Sequence, residues 1–151
     1  VVGRMAAARR APPPNVGAGV RRIYGAEAMG APGMVRADTA YRGAGGDWRV
    51  GFAVVRNVKG KDQPITFRVA TDTADRLRDV DILVYREPYG GEVAYDAWRR
   101  QFRGKSADDA LQVGRDIRTI SGATISVNAV TLGAKRALSD LTSWHRSGAL
   151  Q

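Results

Sequence analysis

The chain has 151 residues, with 24 Lys and Arg against 15 Asp and Glu, a formal net charge of +9, a single His and no Cys. A chain of this length buries roughly 68–70% of its unfolded surface around one core. The lack of Cys rules out a disulfide, a thiolate nucleophile and a Cys-ligated zinc, and the lone His145 argues against a histidine-rich metal or catalytic site.

Residues 1–19 combine Ala, Arg and Gly with the triple Pro12–Pro14, a composition that predicts a flexible arm or linker. This terminus lacks the apolar run of a secretory signal. It begins with Val, so a signal or membrane anchor could lie outside the chain. Residues 20–30, VRRIYGAEAMG, predict a short helix ended by Gly30, and the Gly-rich stretch 31–47 predicts mostly loop. From Trp48 the pattern turns strand-like, with Trp48, Val50, Phe52 and Val54 on one face, until the turn signal NVKGKDQP. ITFRVA sets Ile65, Phe67 and Val69 against Thr66 and Arg68, so the two strands are expected to pair antiparallel. TDTADRLRD predicts a helical turn capped by Asp72 or Thr73. VDILVYRE predicts a central strand because it is apolar on both faces.

Beyond Pro88 and the pair Gly90–Gly91, the segment YDAWRRQFRGK repeats Tyr95, Trp98 and Phe102 at helical spacing and offers Gly104 as C-cap. SADDALQV adds a turn capped by Ser106, and GRDIRTI a short strand. From about Ile125 to Trp144, one stripe carries Val127, Val130, Ala134, Ala137, Leu138, Leu141 and Trp144, predicting a long amphipathic helix. The fold class expected is α+β: a mainly antiparallel sheet with short helices and a long C-terminal helix packed against it.

The chemistry concentrates at RTISGATIS, residues 118–126. A helix starting at Ala123 or Thr124 leaves its first amides without intrahelical partners, and with the helix dipole these form an anion site. Gly122 and Ala123 give a phosphate room, and the hydroxyls of Ser121, Thr124 and Ser126 can donate to its oxygens. A Ser or Thr N-cap explains the same residues with no ligand, so spacing alone leaves both readings open.

SGATIS followed by an Ala/Val-rich amphipathic helix resembles the signature of the FMN-binding domain family. That family is found in the sodium-pumping NADH:quinone reductase, in Rnf-type electron-transport complexes and in membrane regulators of nitrous oxide reduction. The resemblance spans roughly residues 48–142 and includes DILVY running into REPYGG and the helix reaching QFRGK. It implies that residues 20–151 form a single FMN-binding domain. It also implies that a flavin transferase joins FMN to Thr124 by a phosphoester, with Ser121, Gly122 and Ala123 as the loop that admits the phosphate. Glu87, Tyr89, Gly90 and Gly91 correspond to positions near the flavin, although REPYGG also reads as a plain β-to-α turn. The family pattern has an Asp three residues before the SGAT serine, where this chain has Arg118, its nearest carboxylate being Asp116. An arginine there could favour non-covalent FMN by pairing with the phosphate.

No Ser-His-Asp set and no spaced carboxylate pair is evident. The resemblance therefore implies an electron carrier rather than an enzyme acting on a small substrate, with no metal, working among redox protein partners. It further implies a place on the extracytoplasmic side of a bacterial membrane, or in the periplasm. Two rivals remain, a basic module for nucleic acid or another polyanion and a flavin-free interaction domain. Against a specific nucleic-acid role, aromatics do not alternate with Lys and Arg and no helix-turn-helix or finger pattern occurs. His145 is expected to meet the helix end or solvent.

Overall fold

The alternating strand patterns close into a five-stranded antiparallel sheet whose spatial order is its chain order. The computed structural model describes residues 32–35, 38–45 and 48–148, with side chains from residue 51 onward. The arm expected at 1–19 and the short helix expected at 20–30 lie outside the described residues. The strands are β1 (Pro32–Val35), β2 (Asp38–Gly45), β3 (Trp48–Lys59), β4 (Pro64–Thr71) and β5 (Leu77–Val84). Next come a 3-10 turn at Gly91–Ala94, the one-turn helix α1 (Asp96–Arg99) tightening into 3-10 at Arg100–Phe102, and the long helix α2 (Thr124–Arg146).

The α+β class and the packing of the C-terminal helix on the sheet are as the sequence predicts, while four local expectations need correction. The loop expected at 31–47 contains β1 and β2, with Tyr41 opposite Ala53 and Gly43 opposite Gly51. Backbone ladders hold such a Gly-rich strand without any side-chain period to announce it. The helical turn expected after Thr71 is a hairpin turn. Asp72 Oδ1 accepts the amides of Ala74 and Arg76, 2.9 and 3.0 Å away, so the capping carboxylate serves a turn instead. The strand read as central, β5, is an edge strand whose Val84 is exposed. The helix expected at 95–103 shortens to α1 and 3-10, leaving Tyr95 exposed, and the strand expected at GRDIRTI reduces to one bridge between Val113 and Ile117.

Interior positions fall to β2, β3 and, next to the edge strand, β4. In β4, Ile65, Phe67 and Val69 face α2, and Arg68, the polar member of the alternation, is fully buried with Nη2 2.6 Å from Asp81 Oδ2. Ionic pairing lets a strand that reads amphipathic lie covered on both faces. Arg99 of α1 adds a second buried link, Nη1 lying 2.8 Å from Asp79 Oδ1 and 3.0 Å from the Val80 carbonyl. It fastens the 91–102 segment to β5, and the rings of Trp98 and Phe102 meet edge to face at 5.2 Å.

The α2 stripe expected from periodicity is the buried one: Val127, Val130, Ala134, Ala137, Leu138 and Leu141 are at most 1% exposed. Fully burying a side chain of Val or Leu size contributes about 1.5–3 kcal/mol. Gly133 brings helix and sheet close, since a Cβ there would stand 2.8 Å from Phe67 Cζ. At the far end His145 does not face solvent alone. Its Nδ1 is 2.6 Å from the buried Asp75 and its ring lies 4.6 Å from that of Phe52, tying the end of α2 to the β4–β5 turn. The opposite end of α2, thus held in direction, opens toward the loops that follow β3 and β5.

Candidate functional site

At Gly122 the chain turns with φ +80°, and Ala123 leads into α2 with no side-chain hydrogen bond capping the helix. The hydroxyl cap suggested by spacing is therefore not what Ser121 and Thr124 provide. Ala123 donates its amide to the Ile120 carbonyl, 3.0 Å, and Val127 donates to Ala123, 2.9 Å. Between them, the amides of Thr124, Ile125 and Ser126 make no hydrogen bond among the described residues. Three adjacent donors at the positive end of a 23-residue helix await an acceptor. Small residues keep the approach clear: a Cβ built on Gly122 would have nothing within 4 Å.

In front of these amides lies a cleft of about 490 Å³. It brings together Gly122, Ala123, Thr124 and Ser126 from the α2 entrance with Glu87, Tyr89 and Gly90 from the loop after β5. Of the other positions singled out in the sequence, Ser121 and Gly91 adjoin this wall in the chain, and Arg118 does not line it. Tyr89 and Ile125 offer exposed apolar surface at the rim, 82% and 53% accessible.

The two hydroxyls of the entrance differ sharply. Thr124 is exposed and its Oγ1 has no hydrogen-bond partner among the described residues, whereas Ser126 is 5% exposed and its Oγ is 2.7 Å from Tyr85 Oη. Tyr85 donates its hydroxyl hydrogen to the Tyr89 carbonyl, which leaves it to accept from Ser126. Ser126 thus anchors the loop, and Gly90 makes the contact close: with φ +88°, a Cβ there would lie 2.5 Å from Tyr85 Oη and 2.7 Å from Ser126 Oγ.

Glu87 is also committed. Its Oε1 accepts the amides of Asp62 and Gln63 at 2.6 and 2.7 Å, crossing from the loop after β5 to the β3–β4 turn. The Asp62 amide, then that of Gln63, holds its carboxyl below the usual carboxylate range, with Lys61 adding attraction. A depressed folded pKa means that the link is made at neutral pH and lost as pH falls through that lowered value. The same turn places Lys61 and Asp62 on the cleft wall, two residues that sequence reasoning missed. Their only signal was a turn motif; the Glu87 bridge that aims them spans 25 positions.

Residues 60–139 match the FMN-binding domain family, more than half of the chain. This chain belongs to the FMN-binding domain family. A component of the proton-translocating ferredoxin:NAD(+) oxidoreductase complex of Clostridium ljungdahlii is 31% identical over 112 residues, covering 69% of this chain and 60% of that relative. The match thus spans about three-fifths of the relative's length.

FMN is the cofactor of this FMN-binding domain, and the donor set fits it: unpaired helix amides and a free hydroxyl suit a phosphate, and the cleft's apolar rim suits a planar ring. Arg118, standing where the family has Asp, turns elsewhere. Its amide donates to Gln101 Oε1 and its carbonyl accepts Trp98 Nε1, both at 2.7 Å, and its exposed side chain lines a second cleft beside Trp98 and Lys105. Asp116 does not replace the missing carboxylate. Burial opposes its ionisation, yet the amides of Gln112 and Leu111, at 2.8 and 2.9 Å, hold its pKa low and occupy both oxygens within the 111–116 loop. We expect Arg118→Gln to change FMN affinity less than about twofold, consistent with a surface substitution worth ±0.5 kcal/mol, checked by fluorescence titration of the apo-domain.

Proposed function

We propose that this FMN-binding domain is an electron carrier. Its flavin phosphate is bound by the Thr124, Ile125 and Ser126 amides and joined covalently to Thr124, with Ser121, Gly122 and Ala123 forming the admitting loop. The observation that carries this reading is the uncapped start of α2, with an exposed, unpartnered threonine hydroxyl beside three amides that are unpaired among the described residues. When bound, FMN supplies the redox chemistry. The protein's part is to fix the phosphate, offer Tyr89 and Ile125 as apolar surface for the ring, and hold the loop after β5 in place through Ser126, Tyr85 and Gly90.

Attachment replaces the Thr124 O–H bond by an O–P bond. A flavin transferase supplies an activated flavin phosphate, whose leaving group departs from phosphorus as a base on the transferase takes the proton. Glu87 is occupied by backbone amides, and this supports a carrier rather than an acid–base enzyme. The likeness to a component of a proton-translocating redox complex supports redox protein partners and a membrane-associated assembly. Among the described residues no helix is long and apolar enough to cross a membrane. We assign the domain to the extracytoplasmic side, as the family resemblance implies.

The test is coexpression with a flavin transferase followed by acid precipitation. Yellow colour that stays with the pellet is the expected result. Colour released to the supernatant limits the reading to non-covalent FMN, and a colourless protein that also fails to quench added FMN overturns it.

A further inference from the structure

Glu87 stands near the flavin by family correspondence, yet its carboxylate is turned to a different task. It stitches together two walls of the cleft, the loop after β5 and the turn between β3 and β4. The stitched turn is tight. Gly60 donates its amide to the Gln63 carbonyl at 2.9 Å, and a Cβ on Gly60 would lie 3.0 Å from that oxygen and 3.2 Å from Glu87 Oε1. On this fixed turn sits Lys61, exposed, in no salt bridge among the described residues though attracted by Glu87, and the one cation among them lining the Thr124 cleft, beside the carboxylates of Asp62 and Glu87. The phosphate's donors belong to the α2 wall, whereas Lys61 lines the cleft from the β3–β4 turn.

We propose that Lys61 is the charge that tunes the flavin ring and that Glu87 is the positioning residue that presents it, an inference that rests on the flavin reading above. Reduction by two electrons with uptake of one proton leaves one additional negative charge on the ring. A lysine ammonium held at the cleft attracts that charge and favours the reduced form. The side chain of a lysine is flexible, so its effect depends on how firmly its backbone is placed. Glu87 supplies that firmness through two amide hydrogen bonds to a charged acceptor, stronger than neutral ones.

The experiment is a dithionite titration of the FMN-loaded domain against a dye of known potential, at low and high salt. Lys61→Met is expected to shift the reduction equilibrium about tenfold toward the oxidised form, ~30 mV for a two-electron couple. Lys61→Arg is expected to restore it, and high salt to shrink the difference. Glu87→Gln also removes a carboxylate from the cleft wall, which by itself favours the reduced form, so the positioning role is read from the double-mutant cycle: the effect of Lys61→Met should shrink in the Glu87→Gln background. In the apo-domain, Glu87→Gln should speed hydrogen exchange at the Asp62 and Gln63 amides, and Lys61→Met should not. An unchanged potential in Lys61→Met overturns the role of Lys61, and additive shifts or unaltered exchange in Glu87→Gln overturn the positioning role. A wild-type domain that binds no FMN sinks the underlying flavin reading instead, and the two failures are thereby distinct.

Discussion

Thr124→Ala abolishes acid-stable flavin, taking attachment from stoichiometric to undetectable, while Ser126→Ala keeps it. Both variants are coexpressed with a flavin transferase, precipitated with acid and weighed by mass spectrometry. The difference follows from where each hydroxyl proton already is. Thr124 Oγ1 is exposed and unpartnered among the described residues, whereas the Ser126 hydroxyl is buried and donated to Tyr85. An attacking oxygen must present a lone pair to phosphorus and release its proton. Thr124 can do both from the surface, and Ser126 would first have to break a buried hydrogen bond. Unfolding would not account for the loss, since an exposed substitution here stays within about ±0.5 kcal/mol and Ala favours a helix over Thr. Non-covalent FMN should persist in Thr124→Ala, weaker by one hydrogen bond of about 0.5–1.5 kcal/mol. An adduct that survives Thr124→Ala and disappears in Ser126→Ala would reverse the assignment.

The site was legible where its residues are contiguous. Ser121 to Ser126 follow one another, and the apolar stripe behind them fixes where α2 begins and which side it buries, while the choice between a helix cap and a phosphate opening stayed open in the residues themselves. Whether the hydroxyls cap the helix or leave it open depends on φ at Gly122 and Ala123, which residue types do not determine. The wall at the β3–β4 turn was illegible for another reason: Lys61 reaches the cleft only because Glu87 bonds a turn 25 positions away, and a carboxylate in a Pro-Gly loop carries no mark of its partner. In the sheet, apolar periodicity located β3, β4 and β5 but misjudged which is interior. Burial of Arg68 rests on Asp81 across the register, and an alternation of apolar and polar residues does not tell a paired arginine from a solvated one.

Gly90→Ala should destabilise the apo-domain by about 2–5 kcal/mol, the sum of roughly 1–2 for a left-handed non-glycine residue and 0.5–1.5 for each of two displaced hydrogen bonds. Urea denaturation reads this directly, and for a chain near 150 residues each kcal/mol lowers Tm by about 2–4 °C. The methyl would stand 2.5 Å from Tyr85 Oη and 2.7 Å from Ser126 Oγ, so that pair must part. With it goes the link from Tyr85 to the Tyr89 carbonyl, and the loop after β5 loses its hold on the α2 entrance. Gly122→Ala is the control: its φ is similarly positive, +80°, but its methyl meets nothing within 4 Å, so it incurs the backbone strain alone. The two glycines should therefore separate stability from binding. Gly90→Ala costs more in folding, and Gly122→Ala, whose methyl intrudes at the phosphate's approach, costs more in FMN affinity relative to its stability loss. Equal destabilisation by both would mean that backbone conformation governs at both positions and that the contact of Tyr85 with Ser126 contributes little to holding the cleft together.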